Sequence, residues 1–217
     1  MTTHAQEHWD QAYTTRGEAG VSWFEAQPET SLSLLAGIGA TPDAALIDIG
    51  GGASHLVDAL LKADWRRVTV LDLSPVALGI AKARLGEASS ACVRWIAADV
   101  TRWEPAEAYD IWHDRAVFHF LVEPHDRSAY IERLCRAVRP GGHAIIATFM
   151  PSGPERCSGL PVCRYEPETL AGAIGPAFAL VASRSNVHIT PAGARQPFQF
   201  SVLRRCAAKS AAQPAAP

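Results

Sequence analysis

The densest run of reactive side chains is His113-Asp114-Arg115-Ala116-Val117-Phe118-His119-Phe120. Imidazoles and carboxylates are the usual groups for taking a proton from a reacting atom. Asp114 and His119 rank ahead of His113 as catalytic candidates. Quieter readings stand beside these: His119, set between two phenylalanines, as a core histidine with one hydrogen bond, and Asp114-Arg115 as an ion pair tying a loop to a helix. Two thiols, Cys157 and Cys163, lie a few residues apart. They suit a soft metal or metalloid, a redox pair, or ordinary loop positions. A closed zinc site needs further ligands, and no CxxC pairing supplies them, so no metal site is assigned.

A second concentration of unusual residues is Leu46 to Leu56, Leu-Ile-Asp-Ile-Gly-Gly-Gly-Ala-Ser-His-Leu. An apolar run carrying Asp48 meets Gly50, Gly51 and Gly52, then Ser54, then a helix-like run. Glycine there removes the Cβ atoms that would block a tight turn and close approach of a ligand. The helix beyond points free N–H groups and the positive end of its dipole over the turn, which favours a polar or anionic guest. Asp72 ends the next apolar run, close to the ~20-residue offset at which an acidic residue meets a ribose in nucleotide-binding folds. Asp99 ends a third. Carboxylates at successive strand ends beside a glycine turn are hard to explain as packing.

The elements that must position these groups follow from periodicity and punctuation. Strands are expected at Leu46 onward, Arg67–Leu73, Cys92–Ala97, Tyr109–Trp112 and His143–Phe149, the last after the turn Pro140-Gly141-Gly142. Between them lie helices at Val76–Leu85, ended by Gly86, and from His125 or Asp126 onward. His119 is placed on a helix after the fourth strand. Alternating strands and helices predict an α/β fold with a mainly parallel sheet and helices on both faces. Met1–Gln6 is expected to be disordered and His8–Tyr13 helical. A helix follows from Pro28 to Ile38. The aromatic segment Val21–Glu25 is read as a lid over the site, with Trp23 facing the substrate. Met150–Tyr165, rich in Gly and Pro, reads as a loop at the crevice. It carries Cys157, Cys163 and Arg164 toward the substrate, with Tyr165, His188 and Gln196 able to reach the rim. A short helix at Pro167–Ile174 and strands at Phe178–His188 and Phe198–Arg205 complete the chain.

In this order the motifs resemble the class I S-adenosylmethionine-dependent methyltransferases. Asp48-x-Gly50-x-Gly52 matches their first motif, Asp72 their ribose-binding acid, Asp99 their adenine-side residue, and Arg139-Pro140-Gly141-Gly142 the turn before their fifth strand. The resemblance runs from about Trp9 to Arg205. It implies a Rossmann-like seven-stranded, mostly parallel sheet ending in an antiparallel hairpin. It implies S-adenosyl-L-methionine as cofactor, held by Asp48, Gly50, Gly51, Gly52, Ser54, Asp72, Leu73, Asp99 and Val100. One domain is expected over residues 1–205, with lid and helices within 8–38, and a disordered tail over 206–217.

Composition narrows the partners. A formal charge of −2 argues against a general nucleic-acid binder. The Asn/Asp-Pro-Pro-Tyr/Phe signature of amino-methylating nucleic-acid enzymes is absent. No apolar run reaches the ~18 residues of a membrane span, and the polar start lacks a secretory core. Five cysteines without framework spacing suit a reducing cytoplasm. The glycine turn lacks the G-x-G-x-x-G of a nicotinamide dehydrogenase. The expected activity is methyl transfer to a small molecule, a thiol or metalloid being the subclass that Cys157 and Cys163 favour. A protein-lysine methyltransferase is the alternative. The opening His8-Trp9-Asp10 through Trp23-Phe24-Glu25 resembles enzymes that modify lysines of an elongation factor, although only Asp114 matches their Asp-Lys-Gly-Thr stretch. A non-catalytic binder of the cofactor is the third reading. Oligomeric state leaves no signal in the sequence.

Overall fold

A computed structural model describes residues 2–207. Its elements in order are α1 (Thr2–Arg16), α2 (Glu29–Gly37), β1 (Leu46–Ile49), α3 (Leu56–Lys62), β2 (Val68–Asp72), α4 (Pro75–Ser90), β3 (Val93–Ala97) and β4 (Tyr109–Arg115). Then come a single 3-10 turn at Phe118–Phe120, α5 (Pro124–Ala137), β5 (Val138–Phe149), a small hairpin β6 (Arg156–Cys157) and β7 (Leu160–Pro161), α6 (Pro167–Ile174), β8 (Phe178–Ile189) and β9 (Arg195–Arg205). The seven long strands form one sheet in the order β3-β2-β1-β4-β5-β9-β8, parallel except where β9 runs against both its neighbours. This is the expected fold.

Strand side chains alternate between faces, so the central strands feed two cores. Leu46, Val70, Ile111 and Ile145 pack with α2, α3 and α4. Ile47, Trp112, Ile146 and Leu203 pack with α5 and α6 on the opposite face. A third, smaller cluster of Tyr13, Val21, Ala53 and Ala77 seats α1 over the glycine turn and the start of α4.

Several boundaries differ from expectation. Met1 lies outside the described residues; from Thr2 the chain is helical, and the expected disorder over residues 2–6 gives way to α1 because its aromatic face finds a partner surface on the domain. The helix opened by the Ser74 cap and Pro75 continues to Ser90, with only a kink at Gly86 (φ 75°). The Arg139–Gly142 turn is absorbed into β5, whose register against β4 jumps from Tyr109↔Val138 to Ile111↔His143. The Met150–Tyr165 segment holds the β6–β7 hairpin within its loop. Residues 208–217, most of the expected tail, lie outside the described residues.

Candidate active site

The parallel strands end at one edge of the sheet, and there a cleft of about 500 Å³ runs from β3 across β1 to β4 and β9. Crevices at this edge are where open α/β sheets take their ligands. One half is lined by Asp72 and Leu73 after β2, by Asp99 and Val100 after β3, and by Gly50 after β1. Gly50 (φ 67°) and Gly52 (φ 41°) take left-handed backbone that favours glycine. A Cβ on Gly50 would clash with Val117 Cγ2, and one on Gly52 would meet Asp72 Oδ2 at 2.8 Å. The turn is therefore built to the closest approach the backbone allows. Gly51, Ser54 and Asp48 line a smaller recess of about 40 Å³ next to it. Ser54 Oγ accepts the Leu56 N–H at the start of α3. Arg84 fastens the turn from outside, donating to the Ala53 and Ser54 carbonyls while pairing with Asp58 and Glu18.

Asp72 is buried, and its Oδ1 accepts the Ser74 N–H at 2.7 Å. Burial pushes its carboxyl up from 3.8 to about 7; the Ser74 and Gly52 N–H groups oppose this, and the negative charges of Asp48 and Asp10 add to it. A carboxylate this poorly solvated is ready to accept hydrogen bonds from a ligand's hydroxyls. Asp99 Oδ1 holds the turn at Thr101, receiving its N–H at 2.9 Å and its hydroxyl at 2.7 Å. The glycine cradle, the ribose-side acid and the flanking apolar Leu73 and Val100 together fit an adenosyl ligand such as S-adenosyl-L-methionine.

α1 roofs the cleft. The Ser74 hydroxyl donates to Asp10 Oδ1 at 2.5 Å, and His8 Nε2 lies 3.2 Å from Ser158 Oγ in the β6–β7 turn. Trp9 meets Trp23 and Phe120 edge-on, at 5.5 and 5.0 Å between ring centroids. Trp23 Nε1 donates to the Tyr13 hydroxyl, which lies above Gly52. The aromatic segment thus packs with α1 over the cleft.

The other half of the cleft lies beneath Trp9 and Trp23 and is lined by Arg115, His119, Phe120, Cys157, Gln196 and Phe198. Of the three catalytic candidates, only His119 reaches it. Alternation along β4 separates the other two. Asp114 points to the α5 face, where its carboxylate receives the Val117 and Phe118 N–H groups at 2.6 and 3.1 Å and the Tyr130 hydroxyl at 2.5 Å. Burial pushes its pKa to about 6 despite these donors. With its oxygens committed and no place on the cleft, Asp114 caps a turn. His113 points to the opposite face and links Asp48 Oδ1 (2.7 Å) to Ser31 Oγ (2.9 Å), all three buried. Both lie on the strand itself, since β4 extends to Arg115 rather than ending at Trp112.

His119 is buried and sits on the 3-10 turn rather than a longer helix. Burial, reinforced by the Arg115 charge, lowers its pKa to about 3, so it is neutral. Phe149 N–H approaches its Nδ1 at 3.5 Å, which leaves the ring proton on Nε2. His119 therefore carries a donor at Nε2 beside the cleft and is a poor base. Arg115 does not pair with Asp114 but reaches Glu25 at 2.9 Å and the Trp23 carbonyl at 2.8 Å. Burial alone would raise the Glu25 carboxyl; His188 and Arg115 outweigh it and hold it below its ordinary value.

Among the substrate-side candidates, Trp23 and Cys157 line the cleft. Burial pushes the Cys157 thiol up to about 11, so it is protonated at neutral pH and a weak metal ligand. Cys163 and Arg164 do not line it. The Cys163 N–H donates to the His119 carbonyl, and Arg164 staples the loop by donating to the Pro151 and Gly153 carbonyls. No cluster of potential metal ligands occurs among the described residues. The sequence marks Tyr13 and Glu25 only as parts of the His8–Tyr13 helix and the Val21–Glu25 segment, and no spacing rule announces their pairing with Trp23 and Arg115.

The fold is the one shared by class I S-adenosylmethionine-dependent methyltransferase structures. Residues 46–142 match the family model described as a methyltransferase domain. The chain is 30% identical over 112 residues to a malonyl-[acyl-carrier protein] O-methyltransferase of Paenibacillus sp. (strain JDR-2), across 49% of this chain and 39% of that protein. It is 28% identical over 151 residues to a probable thiol methyltransferase 2 of Arabidopsis thaliana, across 69% and 64% respectively. In each case the match spans less than two thirds of the relative's length. The N-methyltransferase NodS of Bradyrhizobium japonicum WM9, solved in complex with S-adenosyl-L-homocysteine, superposes with a TM-score of 0.67 at 18% identity, over 90% of this chain and 97% of that one.

Proposed function

We propose that this chain is an S-adenosylmethionine-dependent methyltransferase whose acceptor is a small molecule, with a thiol as the favoured subclass; a metalloid draws less support, since Cys163 does not line the cleft. The observation that carries it is one continuous cleft joining the acids after β2 and β3, across the Gly50 turn, to an aromatic chamber under α1. When bound, the cofactor supplies a methyl carbon that an acceptor lone pair takes up as the methyl–sulfur bond breaks and its electron pair returns to sulfur. The chain's contribution is placement and exclusion of water, since positioning alone can supply on the order of 7–11 kcal/mol. Asp72 accepts from the ribose; Trp9, Trp23 and Phe120 close the chamber. The names of the relatives, one of them a probable thiol methyltransferase, support the reading.

The protein-lysine alternative draws less support, because Asp114, the one residue shared with the lysine-modifying signature, faces away from the cleft. Absence of a long apolar helix among the described residues and five free cysteines are consistent with a cytoplasmic setting. Calorimetric titration with S-adenosylmethionine, S-adenosylhomocysteine and NAD tests the cofactor. Both adenosyl ligands should bind, NAD should not, and Asp72→Ala should lose them. Silence from the adenosyl ligands would overturn the reading, as would unchanged affinity in the variant.

A further inference from the structure

Besides Arg115 Nη2, which is ion-paired with Glu25, three buried polar atoms of residues lining the acceptor chamber have no hydrogen-bond partner within the protein: His119 Nε2, Arg115 Nε and Gln196 Oε1. Buried polar groups are nearly always paired, because leaving one unmade costs its full desolvation. Three orphans lining one cavity therefore mark where a ligand's polar atoms belong. His119 and Gln196 are 1% and 8% exposed, so bulk water does not satisfy them.

Their chemistry specifies the guest. His119 offers Nε2–H, because Phe149 N–H faces its Nδ1. Arg115 offers Nε–H; its Nη1 is taken by the Trp23 carbonyl and its Nη2 is ion-paired with Glu25 off hydrogen-bond geometry. Both donors need an acceptor atom, and a donor to an anion makes the stronger bond. Gln196 adds an amide that can turn either face to a neighbouring group on the ligand. Of the groups nearest these donors, Asp114 is turned away and Cys157 is a protonated thiol, while His125 and Asp126 belong to another part of the cleft's lining.

We infer that the chamber recognises a small acceptor presenting an anionic, hydrogen-bond-accepting atom, held by His119 Nε2–H and Arg115 Nε–H and oriented by Gln196. An acceptor that arrives as an anion has no proton to shed and so asks no base of His119 or Cys157. The inference rests on the methyltransferase reading and names the substrate class of that same site.

The test is calorimetry on the full chain saturated with S-adenosylhomocysteine, using three flat probes of similar size: para-nitrobenzenethiolate, para-nitrobenzoate and neutral para-nitrotoluene. At least one anion should bind about 10-fold or more tightly than para-nitrotoluene, as one charged hydrogen bond predicts. His119→Leu should erase that preference and His119→Gln, which keeps an N–H, should retain it, with S-adenosylhomocysteine affinity reporting that both variants fold. The inference is overturned if the neutral probe binds as well as both anions, if none of the three binds, or if His119→Leu keeps the preference. Failure of S-adenosylhomocysteine itself to bind would overturn the cofactor reading, and this inference with it. The two failures are thus told apart.

Discussion

Asp48 on β1 and His113 on β4 are register partners in adjacent parallel strands, and their side chains meet at 2.7 Å between Oδ1 and Nδ1. His113 carries the link on to Ser31 of α2, so one buried imidazole joins the strand before the glycine turn to the helix that covers it. His113→Leu leaves both partners unsatisfied and should destabilise the protein by about 2–4 kcal/mol, since each buried orphan costs roughly 1–3. His113→Asn, which keeps a donor toward Asp48, should cost less. Urea unfolding of both variants checks this, and a cost below 1 kcal/mol for His113→Leu would remove the structural role.

Asp72 should trade stability for binding. Its folded pKa of about 7 lies above its unfolded value, so the folded chain holds a proton that the unfolded chain loses between pH 4 and 7. Stability therefore falls as pH rises through that window and stays lower above it. Asp72→Asn should raise the ligand-free protein's stability at pH 8, by on the order of 2–4 kcal/mol. The gain should shrink toward pH 4. The same variant should weaken S-adenosylhomocysteine binding at least tenfold. Thermal unfolding at the two pH values, with calorimetry, reads both effects. A variant less stable than wild type at pH 8 contradicts the argument.

Steric fit at the turn predicts a contrast between two glycines. Gly50→Ala forces a Cβ onto Val117 at positive φ and should cost about 1–3 kcal/mol while weakening the adenosyl ligand. Gly79→Ala, in α4 with open space around its Cβ, should stabilise by about 0.5–1 kcal/mol. Equal effects at the two positions would show that the turn has slack.

Thiol reactivity should rank by surroundings. With its pKa near 11, Cys157 holds only about a thousandth of its population as thiolate at pH 8. Iodoacetamide at that pH should label the exposed Cys92 and Cys206 and leave Cys157 unmodified, as read by peptide mass spectrometry. Prompt labelling of Cys157 would restore it as a candidate nucleophile or metal ligand.

The half of the candidate site around the glycine turn was legible because it is local: Asp48, the glycines, Asp72 and Asp99 are each set by a strand end and the turn after it. The acceptor half was not, because it is assembled from distant segments. Reading β4 as ending at Trp112 placed His113, Asp114 and Arg115 together on a loop. Extending the strand to Arg115 alternates them, sending Asp114 to Tyr130 and His113 to Ser31. Arg115 then finds Glu25, ninety residues earlier in the chain, a pairing no spacing rule announces. The Met150–Tyr165 segment was read correctly as lying at the crevice, but which of its two thiols faces inward depends on the two-strand hairpin that punctuation did not reveal.

Of the six tryptophans in the chain, only Trp9 and Trp23 border the cleft, and they touch each other. The other four are set away from it, at the far end of α3, on β3, before β4 and within β4. Occupation of the cleft consequently changes the surroundings of one indole pair and leaves the rest as internal standards. The protein carries its own optical gauge, and its emission spectrum can follow ligand entry without a label.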